Sequence, residues 1–208
     1  PCVTYIGPGG AGHFVKTVHN GIEYGIEQIL AEAYDLMKRL AGLDGIAMAD
    51  VLAAWNGTEE LASFLVEITE VCLRTKDPET GSDLVEFIVD AAGQKGTGLW
   101  TVESALNMGV PVPTIYAALN ARVLSSLRPE RLASEPLLTA TASGSWDLGD
   151  PASGPLMDAT VLACIASYAQ GMALLQEAST LHDYKLDMAA IGQIWKGGCI
   201  IRARLLQR

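Results

Sequence analysis

The sequence predicts an all-α protein with a short N-terminal strand remnant, on three observations. Apolar residues at Val15, Val18, Ile22, Ile26, Ile29, Ala33, Leu36 and Leu40 recur in unbroken steps of three and four, the period of one helix face. Glycine, proline and acidic caps then divide the rest into helix-length pieces. After Val3-Thr4-Tyr5-Ile6, a β-branched and aromatic run that reads as a strand, no stretch alternates with period two, and no internal repeat is visible.

The first helix runs to about Leu40, where Gly42 supplies a stop. Thr58, followed by Glu59 and Glu60, reads as an N-cap with acidic residues at the positive end of the dipole, opening a helix through Arg74. Asp77-Pro78-Glu79-Thr80-Gly81-Ser82 is a turn, and a short helix from Asp83 runs into the glycine-rich Gly93-Gln94-Lys95-Gly96-Thr97-Gly98. Further helices fit Trp100 to Asn107, Pro113 to Leu127, Ala159 to Leu181 and Met188 to Leu205. Thr139 to Pro155 reads as a surface loop.

Half of the 208 residues are hydrophobic and 18% are charged, enough to bury a large core and more apolar than most soluble monomers. That composition predicts wholly buried helices or an extensive subunit interface. A net charge of −10 argues against general nucleic-acid binding, so an anionic ligand needs a local basic cluster. Cys2, Cys72, Cys164 and Cys199 show no paired spacing, and no signal peptide is evident, which predicts reduced thiols in a cytoplasmic protein rather than disulfides or a zinc site. His13 and His19 are not at a helical ligand spacing, and no metal site is expected. Residues 159–176 are uncharged, but Ser167, Tyr168, Gln170 and Gly171 interrupt the run, so a buried helix is preferred to a membrane span.

Gly7-Pro8-Gly9-Gly10-Ala11-Gly12 fits the G-x-G-x-x-G spacing of a dinucleotide cradle. The fingerprint also needs a second strand within reach, and the long helix leaves no room for one. Pro8 removes a backbone N–H from the loop as well. The better reading is a turn that admits the chain into the helix. On that helix Lys16, His19, Asn20 and Glu23 share an arc of about 100°, away from the apolar stripe. Lys16 and Glu23 lie about 10.5 Å apart along the axis, placed to meet opposite ends of a small substrate.

The stretch Gly10 to Gly25 resembles the central motif of the decarboxylating 6-phosphogluconate dehydrogenases. So do Gly93-Gln94-Lys95-Gly96-Thr97-Gly98-Leu99-Trp100-Thr101, Ala121 to Leu127, Ser167-Tyr168-Ala169-Gln170-Gly171 and Ile194 to Arg202, in the family's order and over nearly the whole chain. Leu99 and Cys164 stand where many members have lysine.

The resemblance implies that residues 1–12 end a nucleotide-binding domain and that 13–208 form a helical substrate-binding and dimerisation domain, truncated at its C-terminal end. It implies a homodimer that takes 6-phosphogluconate, with NADP bound mainly by a domain outside this chain and no cofactor-binding residue within it. By resemblance Lys16 is the general base for the 3-hydroxyl, made neutral by burial and the nearby helix start, and Glu23 the general acid that protonates C1. His19 and Asn20 then bind hydroxyl and carboxylate groups. Tyr24, Lys95, Thr97 and Arg122 hold the phosphate, supplying the local basic cluster that an acidic chain needs for an anionic ligand. The alternative is a non-catalytic helical phosphosugar-binding or assembly module, inactive as an isolated chain.

Overall fold

The structure is a computed structural model and describes residues 2–138 and 149–207. Among these, eight α-helices follow one another: α1 (Ala11–Arg39), α2 (Gly45–Asn56), α3 (Phe64–Arg74), α4 (Thr97–Met108), α5 (Pro113–Ser126), α6 (Arg128–Ser134), α7 (Pro155–Leu181) and α8 (Met188–Trp195). Short 3₁₀ turns occupy Leu84–Phe87, Glu135–Leu137 and Arg204–Gln207. No strand forms among the described residues, only two isolated bridges, Ser63 with Ala203 and Lys76 with Asp83. The strand remnant expected at Val3 to Ile6 is therefore absent from this structure; a strand needs a neighbour to take its backbone N–H and C=O groups, and no described segment pairs with it.

Helix α1 is the axle of the fold. At 29 residues it is about 43 Å long, and it packs on α4, α5 and α7. Ala11 donates to the Pro8 carbonyl at 3.2 Å in place of a side-chain cap, Lys38 and Arg39 sit at the negative end of the dipole, and Gly42 turns away at φ +67°. Close approach is bought by small residues. A Cβ on Gly21 would lie 2.5 Å from Cγ2 of Thr101 on α4, and one on Gly25 would lie 2.6 Å from Oγ of Ser167 on α7. Such contacts exclude any side chain at either position unless the neighbour moves.

The surrounding helices are set by their caps. Asp44 accepts from the Ala47 N–H at 2.8 Å, Ser63 from Val66 at 3.3 Å and Asp187 from Ala190 at 2.9 Å. Thr58 does not open α3 as expected. Its hydroxyl donates to the Trp55 carbonyl at 2.7 Å and accepts from Leu61, closing a turn, so the helix begins only at Phe64. Helix α8 also stops short of the expected Leu205. Gly198, at φ +72°, breaks it and turns Lys196 to Cys199 back toward α1. The helix expected from Asp83 is a single 3₁₀ turn. Of the expected loop at Thr139 to Pro155, residues 139–148 lie outside the described residues; Pro151 accepts a hydrogen bond from the indole of fully buried Trp55 at 3.0 Å.

The core runs along α1, joining Val18, Ile22 and Met37 to Trp55, Ile115, Leu174, Leu175 and Ile191. Helix α7 is long and apolar enough to cross a membrane, yet one of its faces is core, with Cys164, Ser167, Tyr168, Gly171, Leu174 and Leu175 buried. Its opposite face leaves Leu162 and Ile165 exposed.

Candidate functional site

On α1, Lys16, His19, Asn20 and Glu23 come together. The Lys16 Nζ donates to Asn20 Oδ1 at 2.7 Å and stands 3.1 Å from His19 Nδ1. The same Nδ1 stands 3.2 Å from Asn20 Oδ1, so the three polar side chains close a small network. The other ring nitrogen, Nε2, is buried and has no hydrogen-bond partner among the described residues. Burial, followed by the nearby charge of Lys16, lowers the His19 pKa to about 4, while the Asn20 side chain pulls the other way. His19 is thus neutral at pH 7. Its 3.7 Å approach to Glu23 is for that reason not an ion pair. The ring is held from outside α1 by Trp195 of α8, edge to face at 5.7 Å.

Glu23 has the opposite problem. Partial burial raises its pKa above the ordinary carboxyl value, Glu27 four residues on raises it further, and Lys16 and Arg122 oppose the shift. Glu23 and Lys16 thus share one helix face, close enough for the lysine to act on the carboxyl's titration. Lys16 is exposed, contrary to the expected burial, because its side chain reaches over the rim of α1 into an open groove. That groove, of about 340 Å³, is walled by Cys2, Ile194, Trp195 and the Gly197-Gly198-Cys199 turn. An enclosed apolar cavity beneath α1, between Leu30, Leu61, Cys164 and Tyr168, holds only about 20 Å³ and no acid–base group of the site. Burial there pushes the Cys164 thiol up to about 12, so it stays an inert core thiol.

The other expected residues gather at the next turn of α1. The guanidinium of Arg122, on α5, lies 3.9 Å over the Tyr24 ring, pairs with Glu27 and donates to the Gly93 carbonyl at 3.3 Å. Thr97 opens α4 next to Gly98, which packs directly on the Tyr24 ring. Lys95 is exposed in the same loop and bonds to none of the described residues. Three contributors were not singled out from sequence: Glu27, Trp195, and Thr101, whose buried hydroxyl donates to the Thr17 and Thr97 carbonyls. Glu27 had a signal, since it continues the Lys16–Glu23 face by one helical turn. Trp195 lies within the match at 194–202, but periodicity gave no sign that α8 reaches the site, because it does so only through the tertiary fold.

The glycines at 7 and 10 serve close packing. A Cβ on Gly7 would strike the Tyr184 carbonyl, and Gly10 faces the Tyr184 hydroxyl, so these glycines admit the 182–187 loop. Among the described residues no group of three His, Cys, Asp or Glu is placed to hold a metal.

Fold and site together define a helical domain with a Lys–His–Asn–Glu cluster near the start of a central helix and an arginine stacked on Tyr24 at its next turn. Residues 12–208 match the family model for the 6-phosphogluconate dehydrogenase C-terminal domain, and the chain belongs to that family. It is 55% identical to the decarboxylating 6-phosphogluconate dehydrogenase of Synechococcus elongatus, covering 100% of this chain and 45% of that protein. It is 48% identical to a chloroplastic enzyme of the same name from Oryza sativa, covering 42% of it. The 6-phosphogluconate dehydrogenase of Plasmodium falciparum, described with its cofactor NADP+ and its substrate 6-phosphogluconate, superposes with a TM-score of 0.93 at 43% identity, over 100% of this chain and 45% of that one. The chain thus spans less than half the length of the relatives it matches.

Proposed function

We propose that this chain is the substrate-binding and acid–base portion of an enzyme that oxidatively decarboxylates 6-phosphogluconate to ribulose 5-phosphate and carbon dioxide with NADP. The observation that carries this reading is the α1 face, where Lys16 and Glu23 stand two turns apart with Arg122 and Tyr24 beyond them. Lys16 accepts the 3-hydroxyl proton as C3 is oxidised, and the resulting ammonium stabilises the enediolate left when carbon dioxide departs. Glu23, held toward its protonated form, delivers a proton to C1. Neutral His19 and Asn20 bind the hydroxyl and carboxylate groups between them. Arg122, Lys95, Thr97 and Tyr24 hold the phosphate. NADP falls mainly to the part of the relatives that this chain does not match.

Pairing into a homodimer belongs to the same proposal, supported by the exposed Leu162 and Ile165 of α7 and Leu99, Trp100 and Leu106 of α4. The relatives include chloroplastic and bacterial enzymes, so the domain is not tied to one compartment.

Titration of 6-phosphogluconate into the 208-residue chain tests the binding half. Saturable binding is expected, weakened by on the order of 1 to 3 kcal/mol in Arg122→Lys, because lysine loses the bidentate fork. Lys16→Ala spares much of the binding and, in a full-length enzyme carrying this domain, abolishes turnover. If Arg122→Lys binds as well as the parent and gluconate competes equally, the phosphate assignment fails.

A further inference from the structure

Arg122 holds a carboxylate of the domain itself. Its guanidinium pairs with Glu27, donates to the Gly93 carbonyl at 3.3 Å and rests on the Tyr24 ring at 3.9 Å. The pair is neither fully exposed nor fully buried, with side-chain exposures of 21% for Arg122 and 36% for Glu27. A surface ion pair of this exposure adds little to stability, but here it sits on the guanidinium assigned to an anionic ligand. Glu27 contacts that guanidinium from α1, across 95 residues of sequence, so only the tertiary fold creates the competition.

We propose that Glu27 is a specificity-determining residue of the phosphate end: it occupies Arg122 before the ligand arrives and sets how strongly a phosphate dianion is held. The inference rests on the reading of Arg122 as the phosphate anchor. An arriving dianion meets one of two costs. It either displaces Glu27 and forfeits a charge-assisted bond, or shares the guanidinium and lies within a few ångströms of a like charge. The pair also fixes the guanidinium over Tyr24, so the fork is preorganised before binding. The net effect is an anchor that is correctly placed and electrostatically blunted. Glu27 acts on the other end of the site too, since its charge is the second cause of the raised Glu23 pKa.

Glu27→Gln keeps the shape and one acceptor while removing the charge. Isothermal titration of inorganic phosphate and of 6-phosphogluconate into the 208-residue chain is expected to show about tenfold tighter binding for the variant. Gluconate affinity should not change, because its missing phosphate is the group that meets Glu27. As a second readout, the Glu23 carboxyl followed by carbon-13 NMR should titrate at lower pH in Glu27→Gln. Glu27→Ala, read by the same titrations, guards against misfolding of one variant and should move in the same direction. A parent that binds phosphate while both variants bind it no more tightly overturns this proposal and leaves the phosphate assignment standing. If neither parent nor variants bind phosphate, and Arg122→Ala behaves identically, both fall.

Discussion

Gly98 lies against the face of Tyr24 so closely that a Cβ on the glycine would fall well inside van der Waals contact with ring carbons Cδ2 and Cε2. The start of α4 and the ring that supports Arg122 are therefore one packing unit. Gly98→Ala should push Tyr24 aside and loosen the guanidinium above it. A loss of roughly 1 to 3 kcal/mol in urea denaturation is expected, together with weaker phosphate binding by titration. A variant of unchanged stability and affinity would show that ring and helix move independently.

His19 gives a pH dependence with a definite sign. Its folded pKa of about 4 lies below the ordinary 6.5, so the unfolded chain binds this proton first as pH falls. The stability contribution is fully present above pH 6.5, declines between 6.5 and 4, and is gone below, a swing on the order of 3 kcal/mol. Glu23 acts oppositely, since its raised pKa stabilises the fold at low pH and ceases to do so as pH rises through the folded value. Urea midpoints measured from pH 4 to 7 should fall toward acid in the parent and fall less in His19→Gln.

Lys16 and His19 are coupled. Lys16→Met removes the second cause of the low histidine pKa but leaves burial, the first. The His19 resonance should then titrate above 4 and still below 6.5. A return to the full 6.5 would mean that charge, not burial, dominates.

Gly171 of α7 admits the Ile22 side chain of α1, whose Cδ1 and Cγ1 occupy the space a Cβ would need. Gly171→Ala should cost about 1 to 3 kcal/mol, and adding Ile22→Val should recover part of it. Additive losses in a double-mutant cycle would contradict direct contact.

Tyr184 fills the hollow of the Gly7–Gly12 turn. Fluorescence titration of the 208-residue chain with NADP should accordingly give no saturable signal. Tight stoichiometric binding would mean that the 182–187 loop swings away.

The long helix and its polar face were legible because both follow from a 3.6-residue period, which needs no knowledge of the neighbours. The all-α class followed for the same reason. Helix α2 was missed because it is apolar on nearly every side, Gly45-Ile46-Ala47-Met48-Ala49, and offers no stripe to detect. The misplaced start of α3 had a different origin. Thr58 and Ser63 are both good caps, and only the Asn56 side chain accepting from the Ser63 N–H, together with the bridge to Ala203, selects the second. Helix α8 ends at Trp195 rather than Leu205 because the chain turns at Gly198 with positive φ, a conformation that apolar periodicity does not register. In the candidate site, Arg122, Tyr24 and Glu27 meet through contacts far apart in sequence. Periodicity carries no information about them.

Because Lys16, His19, Asn20, Glu23, Tyr24 and Glu27 all ride on α1, the distances among them are measured out by peptide units rather than by loops. A single residue inserted between Asn20 and Glu23 would rotate everything beyond it by about 100° and carry the Glu23 carboxyl away from Lys16 and His19. The exposed turn at 78–82 can lengthen or shorten with no such consequence. In this domain the tolerance to insertion should therefore vanish over one stretch of twelve residues, Lys16 to Glu27, and a library of one-residue insertions would trace the substrate's length as a gap in the surviving clones.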